Sequence, residues 1–141
     1  MDVGSIMTAR VVTVEMDDRL DVVKQIFDTL TFHHLLVIDD LKKLIGIVSD
    51  RDLLKALSPR LGHAAETSRD AATLNKHVHQ IMSRKLVTLH PRAEVADAVQ
   101  LFLEHRISCI PIVNEEFKPV GILSWRDVMK LLIGKHTLDA D

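Results

Sequence analysis

Gly46-Ile47-Val48-Ser49-Asp50-Arg51-Asp52 recurs 75 residues further on as Gly121-Ile122-Leu123-Ser124-Trp125-Arg126-Asp127. In both stretches a short apolar run ends on a serine, and an aspartate follows three residues later. That is the pattern of a buried strand turning into a helix, with Ser-x-x-Asp as a capping box at the turn. The same offset continues outward without a gap. Ile6-Met7-Thr8 falls on Ile81-Met82-Ser83, Val12-Thr13 on Val87-Thr88, and Gln25-Ile26-Phe27 on Gln100-Leu101-Phe102. Lys43 and Lys55 fall on Lys118 and Lys130. Roughly 14 identities in about 53 aligned pairs make the chain a two-copy duplication.

Each copy reads alike. A β-branched run (Val11 to Val14; Leu86 to Leu89) predicts a strand. An acidic or proline-marked turn (Asp17-Asp18; Pro91) then precedes a helix. Leu20, Val23, Phe27 and Leu30 recur at helical spacing, matched by Val95, Ala98, Phe102 and, less well, His105. Leu35 to Ile38 with Leu44 to Val48, and Cys109 to Val113 with Val120 to Leu123, are separated by connections of hairpin length. A closing helix opens at Ser49 or Ser124 and runs to about Leu57 or Ile133. The predicted class is α/β (α+β): two β-α-β-β-α repeats whose apolar sheet faces cover one another with pseudo-two-fold symmetry. The expected boundaries are repeat 1 at 1–57, a linker at 58–76, repeat 2 at 77–134 and a tail at 135–141. The linker is too long for a plain connection, and Ser68 is placed to cap a short helix over Arg69 to Leu74.

Composition narrows the function. The chain has 141 residues, 47% hydrophobic and 27% charged, enough to bury a core. A net charge of -2 lacks the electrostatic footprint of a nucleic-acid binder. The apolar runs are far short of a membrane span, the N-terminus does not read as a secretory signal, and the one cysteine, Cys109, has no internal disulfide partner. These features point to the cytoplasm. The eight histidines raise a metal question, with His77-Val78-His79 and His33-His34 as the candidates. Neither has metal-ligand spacing, so no metal is expected. No phosphate loop or nucleophile elbow occurs, and no enzyme is expected. Cys109 sits in an apolar strand, where a buried inert thiol is the expectation.

The chemistry concentrates at the two Ser-x-x-Asp corners. Their plain reading is helix capping. Their functional reading is that the serine hydroxyl and the arginine reach a phosphate at the helix start, while the aspartate accepts hydrogen bonds from ribose hydroxyls. Arg51 and Arg126 at the same step favour function, because capping does not call for arginine there. Trp125 is placed either to stack on a base or to pack in an interface.

Together with Arg106-Ile107-Ser108-Cys109-Ile110-Pro111-Ile112-Val113-Asn114, the paired openings and the two Gly-Ile-x-Ser-x-x-Asp endings resemble the cystathionine-β-synthase (CBS) domain pair, or Bateman module. The likeness covers nearly the whole chain and includes the small bacterial acetoin-utilisation type. It implies a non-catalytic module that binds adenosyl compounds (AMP, ADP, ATP, S-adenosylmethionine or relatives) in a cleft between the copies, with no required cofactor. It implies a first site of His33, His34, Ile47, Ser49, Arg51 and Asp52 with Ile107, Ser108 and Cys109. A second site would use Ile122, Ser124, Arg126 and Asp127 with Phe32, His33 and His34. Two departures stand out: Leu36 replaces the proline of copy two, and Thr31 replaces its arginine. The partners implied are a second copy of the chain and an effector protein, with no nucleic acid and no membrane. The alternative is a ligand-free dimerisation or protein-interaction scaffold.

Overall fold

The computed structural model describes residues 1–140, with side chains through residue 134. The chain divides into two compact units that do not follow the order of the repeats. One is Val12–Leu86; the other joins Met1–Val11 to the chain from Val87 onward.

In the first unit, β1 (Thr13–Glu15) is followed by α1 (Leu20–Thr29), β2 (His34–Ile38), β3 (Leu44–Ser49) and α2 (Asp50–Ala56). β1 pairs in parallel with β2, and β2 antiparallel with β3, giving the predicted crossover and hairpin. α1 buries Leu20 and Val23 against Leu35, Val37 and Val48, with Ile26 and Phe27 packed alongside. The hairpin turn is built by Asp39, whose Oδ1 accepts the Leu41 and Lys43 N–H groups at 2.9 Å each. Lys42 takes the left-handed conformation, φ 64°. Asn114 and Phe117 repeat this device in the other unit, Asn114 Oδ1 accepting from Glu116 and Lys118 at 3.0 Å and Phe117 at φ 62°.

The linker holds α3 (Ser68–Ala72) and a 3₁₀ turn, Thr73–Asn75. The cap is Thr67, one residue before the expected Ser68. Thr67 Oγ1 accepts the Asp70 N–H at 3.3 Å, and Asp70 Oδ2 accepts the Thr67 N–H at 2.8 Å. Thr67-x-x-Asp70 completes a reciprocal box, whereas Ser68 has an alanine, Ala71, three residues on.

The second unit contains α4 (Val95–Glu104), β4 (Cys109–Val113), β5 (Pro119–Ser124) and α5 (Trp125–Ala140). α5 runs beyond the expected end near Ile133, through most of the segment read as a tail. The strand predicted at Leu86 to Leu89 is absent; only Leu89 bridges Ile112. Proline explains the loss. In the first unit the Leu36 N–H donates to the Val12 carbonyl at 3.1 Å. The equivalent of Leu36 is Pro111, which has no N–H, so the ladder keeps only Leu89 N–H to Pro111 O (3.2 Å) and Val113 N–H to Leu89 O (2.9 Å).

The two openings are exchanged. Residues 78–83 complete the first unit: Val78 and Met82 are buried in its core, and Ser83 exchanges both backbone hydrogen bonds with Ile47, at 2.9 and 3.1 Å. Residues 3–8 complete the second. Val3 is fully buried with Ala98, Phe102, Ile110 and Ile112, and Thr8 exchanges both bonds with Ile122 at 2.9 Å. The details match step for step: Val78 N–H donates to Asp18 O at 2.8 Å, and Val3 N–H to Ala93 O at 2.8 Å. Each methionine lies over a glycine. A Cβ on Gly46 would sit 2.7 Å from Met82 Sδ, and one on Gly121 would collide with Met7. A side chain in place of the glycine of Gly-Ile-x-Ser would therefore require the covering methionine to move.

Candidate functional site

Both corners form as capping boxes. Ser49 Oγ accepts the Asp52 N–H at 3.1 Å, and Asp52 Oδ2 accepts the Ser49 N–H at 2.8 Å. Ser124 and Asp127 do the same at 3.2 and 3.0 Å. These bonds occupy Asp52 Oδ2 and Asp127 Oδ2 and hold both carboxylates half-buried at the strand end. Arg51 and Arg126 lie on the exposed side of the first turn.

Each unit gathers its own candidates. In the first, His34 is the register partner of Ser49, and the His33 carbonyl accepts the Asp50 N–H at 3.0 Å. His33 Nδ1 lies 3.0 Å from Asp50 Oδ2. Phe32 and Ile47 are half-buried nearby in the sequence of β2 and β3. In the second, Cys109 is the register partner of Ser124, and the Ser108 carbonyl accepts the Trp125 N–H at 3.3 Å. Ile107 and Ile122 are half-buried. The two neighbourhoods are images of each other under the repeat. Trp125 lies against Phe102, ring centroids 4.8 Å apart and tilted by 32°, so its ring is engaged in intramolecular packing.

One residue carries a role that the sequence reading did not give it. Thr8 Oγ1 approaches Asp127 at 3.3 Å from Oδ1 and 3.5 Å from Oδ2. The exchanged opening thus adds a hydroxyl to the carboxylate at the corner. The signal was available in the offset, since Thr8 falls on Ser83 and both positions carry hydroxyls.

Electrostatics separate the candidates. Burial pushes the Cys109 thiol up to about 12, which keeps it a neutral, unreactive apolar group. Among the described residues no group of three or more His, Cys, Asp or Glu is arranged to hold a metal ion; His77 and His79 stack instead, 5.5 Å apart and 11° from parallel. The hydrogen bond from His33 holds the Asp50 carboxyl below its ordinary range. Desolvation lowers His34 below the ordinary 6.5, against the opposing pull of Asp50 and Asp52.

The sign of the His34 effect is fixed. With the folded pKa depressed, the unfolded chain takes up this proton first, so stability from neutral His34 is present above about 6.5 and is lost as pH falls toward the folded value. Asp50 acts in a separate, acid window: its contribution is present above about 3.8 and is lost as pH falls through its depressed folded value. His34→Asn should therefore flatten the decline in unfolding free energy between about pH 7.5 and 5.5. Urea denaturation at both pH values measures it; an unchanged slope would show that His34 does not titrate differentially.

No described helix is long and apolar enough to cross a membrane. The CBS domain family matches this chain twice, over residues 3–59 and 78–134. The chain is 30% identical over 132 residues to a CBS domain-containing protein of Dictyostelium discoideum, covering 93% of this chain and 90% of that protein. It spans only 21% of an inosine-5'-monophosphate dehydrogenase of Methanocaldococcus jannaschii, to which it is 28% identical over 120 residues, or 85% of this chain. Among solved structures it superimposes on a Vibrio cholerae protein assigned to acetoin utilization (AcuB) with a TM-score of 0.79 and 25% identity, covering 99% of this chain and 96% of that one. It superimposes equally, TM-score 0.79 and 27% identity, on Arabidopsis thaliana CBSX2 in complex with AMP, covering 96% and 98% of the two chains.

Proposed function

The chain belongs to the CBS-domain family, and from that premise we propose that it is a non-catalytic regulatory module whose ligand is an adenosyl compound: AMP, ADP, ATP, S-adenosylmethionine or a relative. The observation that carries this reading is the repeated corner. Both units present a half-buried carboxylate fixed by its serine, with an exposed arginine one residue before it. The AMP complex of CBSX2, at 27% identity, supports the ligand class.

In the first unit Phe32, His33, His34, Ile47, Ser49, Arg51 and Asp52 contact ligand; in the second Ile107, Ser108, Cys109, Ile122, Ser124, Arg126 and Asp127 do, with Thr8 beside Asp127. The carboxylates accept ribose hydroxyls, the arginines and the His pair meet phosphate, and the isoleucines offer apolar contact to the base. Ligand binding shifts the population of the module's conformations, and a homodimer in the cytoplasm passes that shift to an effector protein. One observation favours a second reading, that of a dimerisation scaffold. Met129, Leu132 and Ile133 of α5 are 55%, 62% and 68% exposed at helical spacing.

Thermal unfolding with AMP, ADP, ATP, S-adenosylmethionine and NAD separates the two. A ligand at about 100 times its dissociation constant stabilises by about 2.7 kcal/mol, a readable shift in midpoint. Asp52→Ala or Asp127→Ala should abolish the shift for its site and lower intrinsic stability only by the loss of a cap, about 0.5–2 kcal/mol. No shift with any ligand at millimolar concentration would leave the scaffold.

A further inference from the structure

We propose that the hollow beside Asp52 in the Val12–Leu86 unit is an anion-receiving subsite, which selects phosphorylated adenosine over uncharged or cationic adenosyl compounds. The inference rests on the functional reading above and narrows its ligand class. The hollow, about 340 Å³, is lined by Asp52, Lys55, Ala56, Lys76 and Ile81. That volume is near the lower end of the range for small-molecule sites, about 300–1,000 Å³.

Its polar lining is one carboxylate and two ammonium groups over an apolar floor of Ala56 and Ile81. Lys55 follows Asp52 by three residues on α2, so the two lie on the same helix face. Lys76 arrives from the linker, and its Nζ donates to the Ala56 carbonyl at 3.0 Å, which fixes this cation over the last turn of α2. An ammonium has three N–H donors, so that bond leaves donors for a ligand. A matching ligand has hydroxyl donors at one end for Asp52 and negative charge at the other for the lysines. A ribose bearing phosphate meets both demands. The sulfonium and ammonium of S-adenosylmethionine would face two like charges. In the repeat, Lys55 falls on Lys130 but Lys76 falls on Met1, whose side chain is uncharged, so the paired lysines belong to this unit alone.

The test is isothermal titration of the full chain with adenosine, AMP, ADP, S-adenosylmethionine and inorganic pyrophosphate. It uses wild type, Lys55→Gln, Lys76→Gln, the double variant, and Lys43→Gln as a charge-matched control on the hairpin. Wild type should bind ADP at least about tenfold more tightly than adenosine. The double variant should lose most of that advantage, keeping only what Arg51 and the His pair contribute, with adenosine affinity unchanged, and Lys43→Gln should keep all of it. Equal affinity for adenosine and ADP in wild type, tighter binding of S-adenosylmethionine than of AMP, or an advantage undiminished by the double substitution overturns the proposal. If no adenosyl compound binds, the functional reading fails, and pyrophosphate alone decides the subsite. Binding that depends on Lys55 and Lys76 upholds it; no binding overturns it.

Discussion

Val3→Asp should unfold the second unit while the first stays protected for longer. Val3 is fully inaccessible and packs with Ala98, Phe102, Ile110 and Ile112, an entirely apolar set. A carboxylate there loses its hydration with no cation or donor in that set to replace it, a cost of several kcal/mol. Against a typical domain stability of about 5–15 kcal/mol, that is a large share. The informative readout is the location of the damage. Amide hydrogen exchange should accelerate first in β4 and β5, more than a hundred residues away in sequence, because the opening of the chain is built into that unit. Val78→Asp should do the reverse, loosening β2 and β3. Loss of protection confined to β2 and β3 in Val3→Asp would contradict the exchange of openings.

Leu36→Pro should cost about 3 kcal/mol or more. The substitution removes the N–H that meets the Val12 carbonyl at 3.1 Å, leaves that acceptor unpaired, and trims a side chain that is 1% exposed. It imposes on the first unit the proline that the second already carries at Pro111, where the parallel strand is reduced to the single bridge from Leu89. The expected structural result is therefore a two-stranded sheet in both units, read as faster exchange of the β1 amides, Thr13 to Glu15. Denaturant unfolding measures the energy; a change below about 0.5 kcal/mol would show that the β1 ladder contributes little.

Much of this architecture was legible in the chain. The 75-residue offset locates both hairpins within a residue or two, because each strand is a dense apolar run bounded by polar turns. It also locates both Ser-x-x-Asp corners, because a capping box is a local device. Three things were not legible. The exchange of openings is a pairing across about 35 to 115 residues, and periodicity carries no information about non-local partners. The missing strand of the second unit turned on one absent N–H at Pro111, a substitution visible in the sequence whose consequence depends on which neighbour it faces. The cap at Thr67 went to the residue with an acceptor three positions on, a detail that a single-residue preference for serine does not weigh. At the site, Asp127 was read as a candidate, but the Thr8 hydroxyl beside it required the folded chain.

The crossing of the openings also sets an order of events during synthesis. Residues 12–86 are contiguous, so their unit can close once Met82 and Ser83 have left the ribosome. Residues 1–11 emerge before that unit and dock after it, because Val3 awaits Ala93 and Thr8 awaits Ile122. Throughout that interval Val3, Ile6 and Met7 are an apolar segment without its cover, the kind of surface that chaperones and like chains recognise. The long separation between these partners also slows closure, since its entropy must be lost before any native contact repays it. The segment that completes the protein is thus the one with the longest history of being unfinished.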